Sequence, residues 1–420
     1  MDWHCVFLSH AGGGDGERHS MRVSWGCDII SSLPGALWLL SYIYRSTRSI
    51  INGFLGRVLN PCEHNCSNRP LDNSLQDYFL NTLLLSSTMT IWESILGITG
   101  FKKSYNFILF FIFAGGLFGF TLARLQYLDI TGRYASGTAP GEWFHQHTGF
   151  RKVGITLHLG TILPCAILLI FQFIPSIRHR AILFHRINGY IIITLFLISN
   201  AGALMIARHA FGGGHDVQLA IGLLVLISTA SVGMAYYNIR CLQIEQHRAW
   251  MLRAMFYMGS IVTVRPLQEI TSRIINKLGT YYAVWSCEKI DFTWKFYKIP
   301  VSYLVAYPMC APPSNGSSLP PGYDPVAIVK ADDNGVEPAQ IGANLSMSFG
   351  LALWLAMFMH IVGVEIYLQL TPRESQRLRM VSYERQKEAG YANPGSAGLV
   401  VQKFGDAESW VPSVEAGQPI

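Results

Sequence analysis

Four long apolar runs within residues 143–271 constrain most strongly what this chain can fold into. They cover residues 155–174, 187–207, 217–238 and 250–271. Each run is close to the roughly 20 residues that an α-helix needs to cross the hydrocarbon core of a bilayer. Two further runs of the same kind cover 105–128 and 346–370. The sequence therefore predicts a bundle of about six transmembrane helices.

The composition supports a membrane protein. The chain has 420 residues, of which 50% are hydrophobic and 14% are charged, whereas a typical soluble domain carries about 25% charged residues. No basic run alternates with aromatic residues outside the apolar runs, so nucleic-acid binding has no support. The predicted fold class is an all-α membrane protein whose main partner is the lipid bilayer, and its oligomeric state is left open.

Basic residues cluster at alternate ends of the apolar runs. Residues 371–387 hold five basic and two acidic side chains. The other clusters are Arg178, Arg180 and Arg186, and Arg240, Arg248 and Arg253. Short basic connections stay in the cytosol, so six spans would leave both termini on the cytosolic side. We expect a multi-pass protein of an endomembrane or of the plasma membrane.

The longest connection, residues 276–344, is predicted to lie on the non-cytosolic side. It holds eight of the 19 prolines, so it cannot form a single helix. Cys287 and Cys310 are expected to form a disulfide there, because that compartment is oxidising. Asn315, followed by glycine and serine, fits an acceptor for N-glycosylation, which predicts a glycoprotein.

Five segments follow one another in the predicted organisation. They are a poorly ordered N-terminal region (1–104), a five-span core (105–275), the long loop (276–344), the sixth span (345–370) and a cytosolic tail (371–420). The run at 80–100 is either an extra span or an interfacial segment. The tail beyond Ala389 is rich in glycine, proline and serine, and we expect it to be disordered.

A histidine lies at or near the start of each of the four central runs: His158, His185, His215 and His247. Helices of alternating direction would place His185 and His247 at one face and His158 and His215 at the other. Imidazole is a common ligand of haem iron, and paired ligands must face each other across a bundle core. This pattern predicts two b-type haems, each held by one pair.

Arg265 lies 18 residues after His247, which is five whole helical turns, so both side chains point from the same stripe. The rise of about 1.5 Å per residue separates them by about 27 Å, close to the bilayer thickness. Arg265 is therefore placed to pair with an anion such as a haem propionate or an acidic substrate. The alternative is that it simply pairs with Glu269, one turn further on.

The histidines also have structural interpretations. His185 and His247 could be interfacial groups that contact lipid phosphates. His158 could make a buried hydrogen bond, because an ionisable group inside a span needs a partner. His215 follows three glycines and could be a loop residue, with His209 as its rival.

Two further sets of histidines remain outside the predicted haem pairs. His360 lies deep in the last run and is either packed and hydrogen-bonded or an alternative ligand. His145 and His147 precede the first of the four central runs and could meet a substrate.

Two helix starts resemble a widespread family of multi-span membrane proteins that is filed under a domain of unknown function. The first has the pattern His-Arg-x-x-Gly-x-Tyr and the second His-Arg-x-Trp-Met-x-Arg. In this chain they are His185, Arg186, Gly189 and Tyr190, and His247, Arg248, Trp250, Met251 and Arg253. The resemblance covers about 101–395 and implies a membrane bundle without an established activity.

More distantly, the histidine order resembles the diheme cytochrome b superfamily of transmembrane reductases. That resemblance implies six spans, paired haem ligands on the central four helices and a small redox-active molecule or metal ion as electron donor or acceptor. The leading hypothesis is transmembrane electron transfer through haem b. The alternatives are a haem-free scaffold or small-molecule carrier accessory to a metabolic pathway, and an integral hydrolase without an identified nucleophile.

Overall fold

The structure is a computed structural model that describes residues 93–312, 325–335, 337–405, 407–408, 410 and 412. Its main helices are α1 (Ser104–Arg124), α2 (Gly149–Gln172), α3 (Ile182–Ala207), α4 (His215–Arg240), α5 (Ile244–Leu278), α6 (Cys287–Phe296), α7 (Pro338–Gln369) and α8 (Pro372–Glu388). Five helices of the described residues, α1 to α4 and α7, are long and apolar enough to cross a membrane. The predicted all-α membrane fold is confirmed.

α5 differs from the other long helices. It has 35 residues and extends beyond the predicted 250–271, but its composition is too polar for it to be among the five apolar helices. α4 packs along one side of it and α7 along another. Arg253 of α5 donates to both carboxylate oxygens of Glu365 on α7, at 2.6 and 2.9 Å. These neighbours let α5 hold ionisable groups away from lipid.

Glycine allows α2 and α3 to pack closely. A Cβ atom at Gly202 would lie 2.6 Å from the carbonyl oxygen of Gly154 and 2.7 Å from the backbone nitrogen of His158. Such close backbone approach is typical of helices in lipid, where van der Waals packing drives association. The contact fixes the depth of His158 in α2 relative to α3.

The middle of the bundle is filled by side chains from four helices. Its buried residues are Cys165 and Leu169 of α2, Ile192 and Phe196 of α3, Val232 of α4, and Ala254 and Met255 of α5. α1 lies against α2 and α5, where the rings of Phe113 and Phe256 meet at 5.6 Å. This apolar layer separates the polar groups at the two ends of the bundle.

Residues 279–312, 325–335 and 337 cover one end of the bundle, called the capped end below. β1 (Tyr282–Ser286) and β2 (Val326–Lys330) pair antiparallel, with Tyr282 opposite Lys330. The core of the cap contains Trp285, Ile290, Trp294, Tyr307, Ala327 and Val329. A disulfide between Cys287 and Cys310 ties the start of α6 to the short helix Pro308–Cys310.

The opposite end, called the tail end below, is covered by α8 and by residues 389–405. The backbone N–H of Leu399 donates to Asn238 Oδ1 at 2.9 Å, and that of Gly395 donates to Gln386 Oε1 at 2.6 Å. The expectation of disorder beyond Ala389 is therefore wrong for this part of the tail. Its small residues let the backbone reach buried amide groups on α4, α8 and the α4–α5 connection.

Several predictions fall on residues outside the described ranges. They include the glycosylation acceptor Asn315 and the part of the 80–100 run before residue 93. Residues 93–99 are helical. The side of the membrane that each end faces also stays a prediction.

Candidate functional site

His185 and His247 come together at the tail end. His185 lies in the first turn of α3 and His247 in the first turn of α5, so two helices that are not consecutive place them within electrostatic range of each other. His247 Nδ1 lies 2.9 Å from the carbonyl oxygen of Ala235. A carbonyl can only accept, so Nδ1 carries the proton and Nε2 is left as an acceptor or a metal ligand.

The His185 ring differs from the His247 ring in its hydrogen bonding. Its Nδ1 is buried and has no hydrogen-bond partner, although buried polar atoms are almost always paired. The carbonyl oxygen of the same residue accepts from Gln172 Nε2 at 3.1 Å, which fixes the backbone at this point. Arg178 and Arg186 lie within electrostatic range of the ring.

His158 is held by α3. Its Nδ1 lies 3.1 Å from the carbonyl oxygen of Ser199 and 2.9 Å from the hydroxyl of the same residue. This geometry matches the structural interpretation, in which the ring satisfies its polar atom within the bundle. The contact ties α2 to α3 close to the glycine crossing.

His215 does not face His158. It is exposed on the outer face of α4 and shares a stripe with Leu219 and Leu226, whose exposed fractions are 63% and 66%. This stripe, together with Gln218, Gly222 and Leu223, lines a shallow groove made by α4 alone. Because α4 starts at His215, the phase of the helix turns the ring outward. The predicted pairing of His158 and His215 as ligands is therefore not formed.

The two rival histidines have other contacts. His360 Nε2 lies 2.7 Å from Thr263 Oγ1, so this histidine joins α7 to α5 as the structural interpretation expects. His209 stacks on His145, with ring centroids 4.3 Å apart. Burial and the nearby Lys289 lower the pKa of His145 to about 3, so its ring is neutral at physiological pH.

Arg265 lies at the capped end and does not pair with Glu269. That carboxylate instead accepts from Arg273, at 2.7 and 2.9 Å. Arg265 Nη1 donates to Gln268 Oε1 at 3.2 Å, and its Nε is buried without a partner. The expected alternative of a simple ion pair within α5 is wrong.

Beside Arg265 lies a polar cluster that the sequence did not indicate. Glu142 is 5% exposed and accepts from Gln146 Nε2 at 2.7 Å, while Gln146 Oε1 accepts from the hydroxyl of Tyr134. The backbone N–H groups of Phe211 and Gly212 also donate to Glu142. Both residues have positive φ, 47° and 81°, so this turn points consecutive amides at one carboxylate.

Lys289 is the cation of this cluster. It is 6% exposed, and its Nζ lies 3.7 Å from the ring centroid of Trp285. Burial raises the pKa of Glu142 to about 7, although Lys289 acts to lower it. Burial lowers the pKa of Lys289 to about 8, with Glu142 acting in the opposite direction. Burial therefore acts against the charged form of both groups, and each partly offsets the effect on the other.

The sequence offered one usable signal for this cluster. Three consecutive glycines, Gly212 to Gly214, indicate an unusual backbone. They do not indicate which side chain the turn binds, because Glu142 lies about 70 residues earlier in the chain and Lys289 about 75 residues later. Neither residue was distinguishable from an ordinary loop charge.

Comparison with known proteins places the chain near one family. The family described as Predicted membrane protein (DUF2306) matches residues 155–288. A relative from Aspergillus versicolor, Ava biosynthesis cluster protein G, is 25% identical over 331 residues, which cover 67% of this chain and 93% of the relative. No solved structure matches. The matches support a membrane protein of unknown function, and the resemblance to the diheme superfamily stays a prediction.

Proposed function

We propose that this integral membrane protein transfers electrons through one b-type haem held at the tail end by His185 and His247. The observation that supports this is that α3 and α5, which are not consecutive, bring these two rings within electrostatic range of each other. The haem expected between His158 and His215 is not part of the proposal, because His215 lies on the outer face of α4.

The ring environments fit haem ligation. The bond from His247 Nδ1 to the Ala235 carbonyl fixes the tautomer and the ring plane, as second-shell carbonyls do for metal-binding histidines. The unpartnered Nδ1 of His185 shows that this ring has an unmet polar interaction. Arg178 and Arg186 would supply positive charge for the carboxylates of the cofactor. Bound haem would supply a one-electron carrier.

The second candidate function is a haem-free carrier or scaffold that accompanies a biosynthetic pathway. The name of the relative, Ava biosynthesis cluster protein G, favours it. In that case His185 and His247 would only pin the ends of α3 and α5. The two candidates differ in whether the purified protein binds an iron porphyrin.

Absorption spectra of the detergent-purified full chain, expressed with ample haem precursor, test the proposal. We expect a Soret band and, after reduction with dithionite, a single sharp α band. His185→Ala and His247→Ala should each remove or strongly diminish both bands. His215→Ala is the matched control, because that ring is on the outer face of α4, and it should leave the spectrum unchanged.

Size-exclusion profiles separate loss of haem from loss of fold. A monodisperse but colourless His247→Ala variant supports the proposal. A colourless wild-type protein, or a spectrum that survives replacement of both histidines, would overturn it and leave the carrier function as the better explanation.

A further inference from the structure

We infer that the capped end contains a binding site for a small carboxylate, with the side edge of the Arg265 guanidinium as its anchor. This inference is independent of the proposed haem, which lies at the other end of the bundle. It rests on four features of the cluster around Arg265: a free donor edge, the absence of a carboxylate partner, a second cation nearby and an aromatic wall.

The donor edge comes from the way Arg265 is oriented. Nη1 is engaged by Gln268 Oε1 at 3.2 Å, and Gln268 is itself fixed by donating Nε2 to the carbonyl oxygen of Leu345 at 3.1 Å. Nε is buried and unpartnered. The Nε edge of a guanidinium presents two parallel N–H groups, which match the two oxygens of a carboxylate.

No protein carboxylate fills this edge within the described residues. Glu269 is bound to Arg273, and Arg265 forms no ion pair with another residue of the described part of the chain. Glu142 is held by Gln146 and by the Phe211 and Gly212 amides. A half-buried cation whose buried Nε has no partner has lost solvation that no protein carboxylate restores, so an anion from outside the described chain is expected here.

The surroundings favour an anion further. Arg124 is 6% exposed and lies within electrostatic range of Arg265, so a buried and a half-buried arginine share this region. Phe211 and Phe349 stack at 3.6 Å, and the Arg265 Cζ atom lies 5.6 Å from each ring centroid. The tyrosines Tyr127 and Tyr134 lie in the same range. The two phenylalanine rings place apolar surface beside the guanidinium, and a charge-assisted contact is stronger in surroundings of low polarity.

Calorimetric titration and thermal-shift assays on the full-length protein in detergent test the site with named probes. Benzoate and acetate test the carboxylate, benzamide is the neutral analogue of benzoate, and inorganic phosphate tests a general anion site. We expect benzoate to bind and to raise Tm, acetate to bind more weakly, and benzamide to do neither. Equal binding of benzoate and benzamide, or tighter binding of phosphate than of either carboxylate, would overturn the inference.

Variants then locate the binding. Arg265→Gln should abolish benzoate binding, and Arg265→Lys should weaken it at least tenfold, because an ammonium group lacks the paired donors. Arg273→Gln is the matched control on the same helix, since Arg273 is exposed and its ion pair within the described chain is with Glu269. If Arg265→Gln does not fold, Arg265→Lys and the benzamide comparison still decide the question. Unchanged benzoate affinity in Arg265→Lys would contradict the assignment.

Discussion

The polar network around Gln243 at the tail end and the cluster around Arg265 at the capped end both bury polar side chains, but they do so in different ways. At the tail end, Gln243 Nε2 donates to Glu245 Oε1 at 2.5 Å, and Ser382 donates to Glu245 Oε2 at 2.5 Å. Gln386 Nε2 donates to Gln243 Oε1 at 2.7 Å. At the capped end, Arg265 keeps a bare Nε, and Glu142 and Lys289 are not joined by an ion pair among the described contacts.

This contrast shows that polar side chains can be buried for two different reasons. A network whose members satisfy one another stabilises a single conformation and leaves nothing for a ligand. A buried charge whose hydrogen-bonding capacity is incomplete costs free energy in the empty protein, and a ligand can recover it. Completeness of partners, and not burial alone, distinguishes the tail network from the site at Arg265.

The largest expected effect is at the tail network. Gln243→Ala removes partners from Glu245, Gln386 and the Gly395 carbonyl at once, so it should cost about 3 kcal/mol or more of unfolding free energy. Chemical denaturation in detergent measures the loss. Gln376→Ala, at an exposed position of α8, is the control and should change stability by less than about 0.5 kcal/mol. A loss below about 1 kcal/mol for Gln243→Ala would show that the hydrogen bonds of the tail network do not stabilise the fold in the way proposed.

Removing the disulfide should have the next largest effect. The bridge between Cys287 and Cys310 closes a loop with a sequence separation of 23, for which chain entropy gives about 3 kcal/mol. Cys287→Ser with Cys310→Ser should lower Tm and weaken benzoate binding, because Lys289 and Trp285 belong to the same cap. Cys241→Ser, at a free cysteine, should do neither. Full benzoate affinity without the bridge would show that the cap does not shape the site.

The pH dependence of stability should be smaller but diagnostic. The pKa of Glu142 is raised by burial to about 7, so its contribution to stability is fully present below the ordinary pKa of about 4.5 and is lost as pH rises through 7. Glu142→Gln removes this loss. The Tm of Glu142→Gln relative to wild type should therefore increase between pH 5 and pH 7.5.

The comparison with wild type is needed because other groups titrate in opposite directions. The pKa of His145 is lowered, so its contribution is lost as pH falls below the ordinary value. The pKa of Lys289 is lowered to about 8, so its contribution is lost as pH falls through 8. Lys289→Met should remove the alkaline part of the profile and, because Lys289 acts to lower the pKa of Glu142, should extend the loss at Glu142 to higher pH. A constant Tm difference between Glu142→Gln and wild type across this range would contradict the raised pKa of Glu142.

The smallest effect is expected for His215→Ala. The ring is exposed on α4, so stability should change by less than about 0.5 kcal/mol. Visible spectra and carboxylate binding should both stay the same. A lost absorption band in this variant alone would show that His215 is a haem ligand and would contradict the placement of the haem at the tail end.

Local features could be predicted from the sequence, but contacts between segments that are far apart in the chain could not. The apolar runs predicted α1 to α4 and α7, because a helix in lipid must satisfy its own backbone. Cys287 and Cys310 were expected to pair because they lie in one connection, and they are bonded in the structure. The orientation of His215 depends on where α4 begins, a matter of one or two residues that hydrophobicity does not resolve.

The missed features share a physical cause. Glu142 is recognised by a turn about 70 residues later, and the tail by amides on α4 and α8. At Gly398, a Cβ atom would approach Gln243 Cβ to 2.5 Å, so the tail can dock there only because the residue is glycine. From composition alone, such a glycine suggests disorder. In the fold, its missing side chain lets the tail backbone approach Gln243 closely.

The polarity of α5 has a consequence for how the protein is made. A segment with this composition is a poor substrate for independent insertion into lipid, and α7, which shields one of its sides and supplies Glu365 for Arg253, is synthesised about 60 residues after α5 ends. We therefore expect α5 to enter the membrane together with α4 or only after α7 has been synthesised. Chains that terminate before Pro338 would strand a charged helix in the membrane and become substrates for quality-control proteolysis.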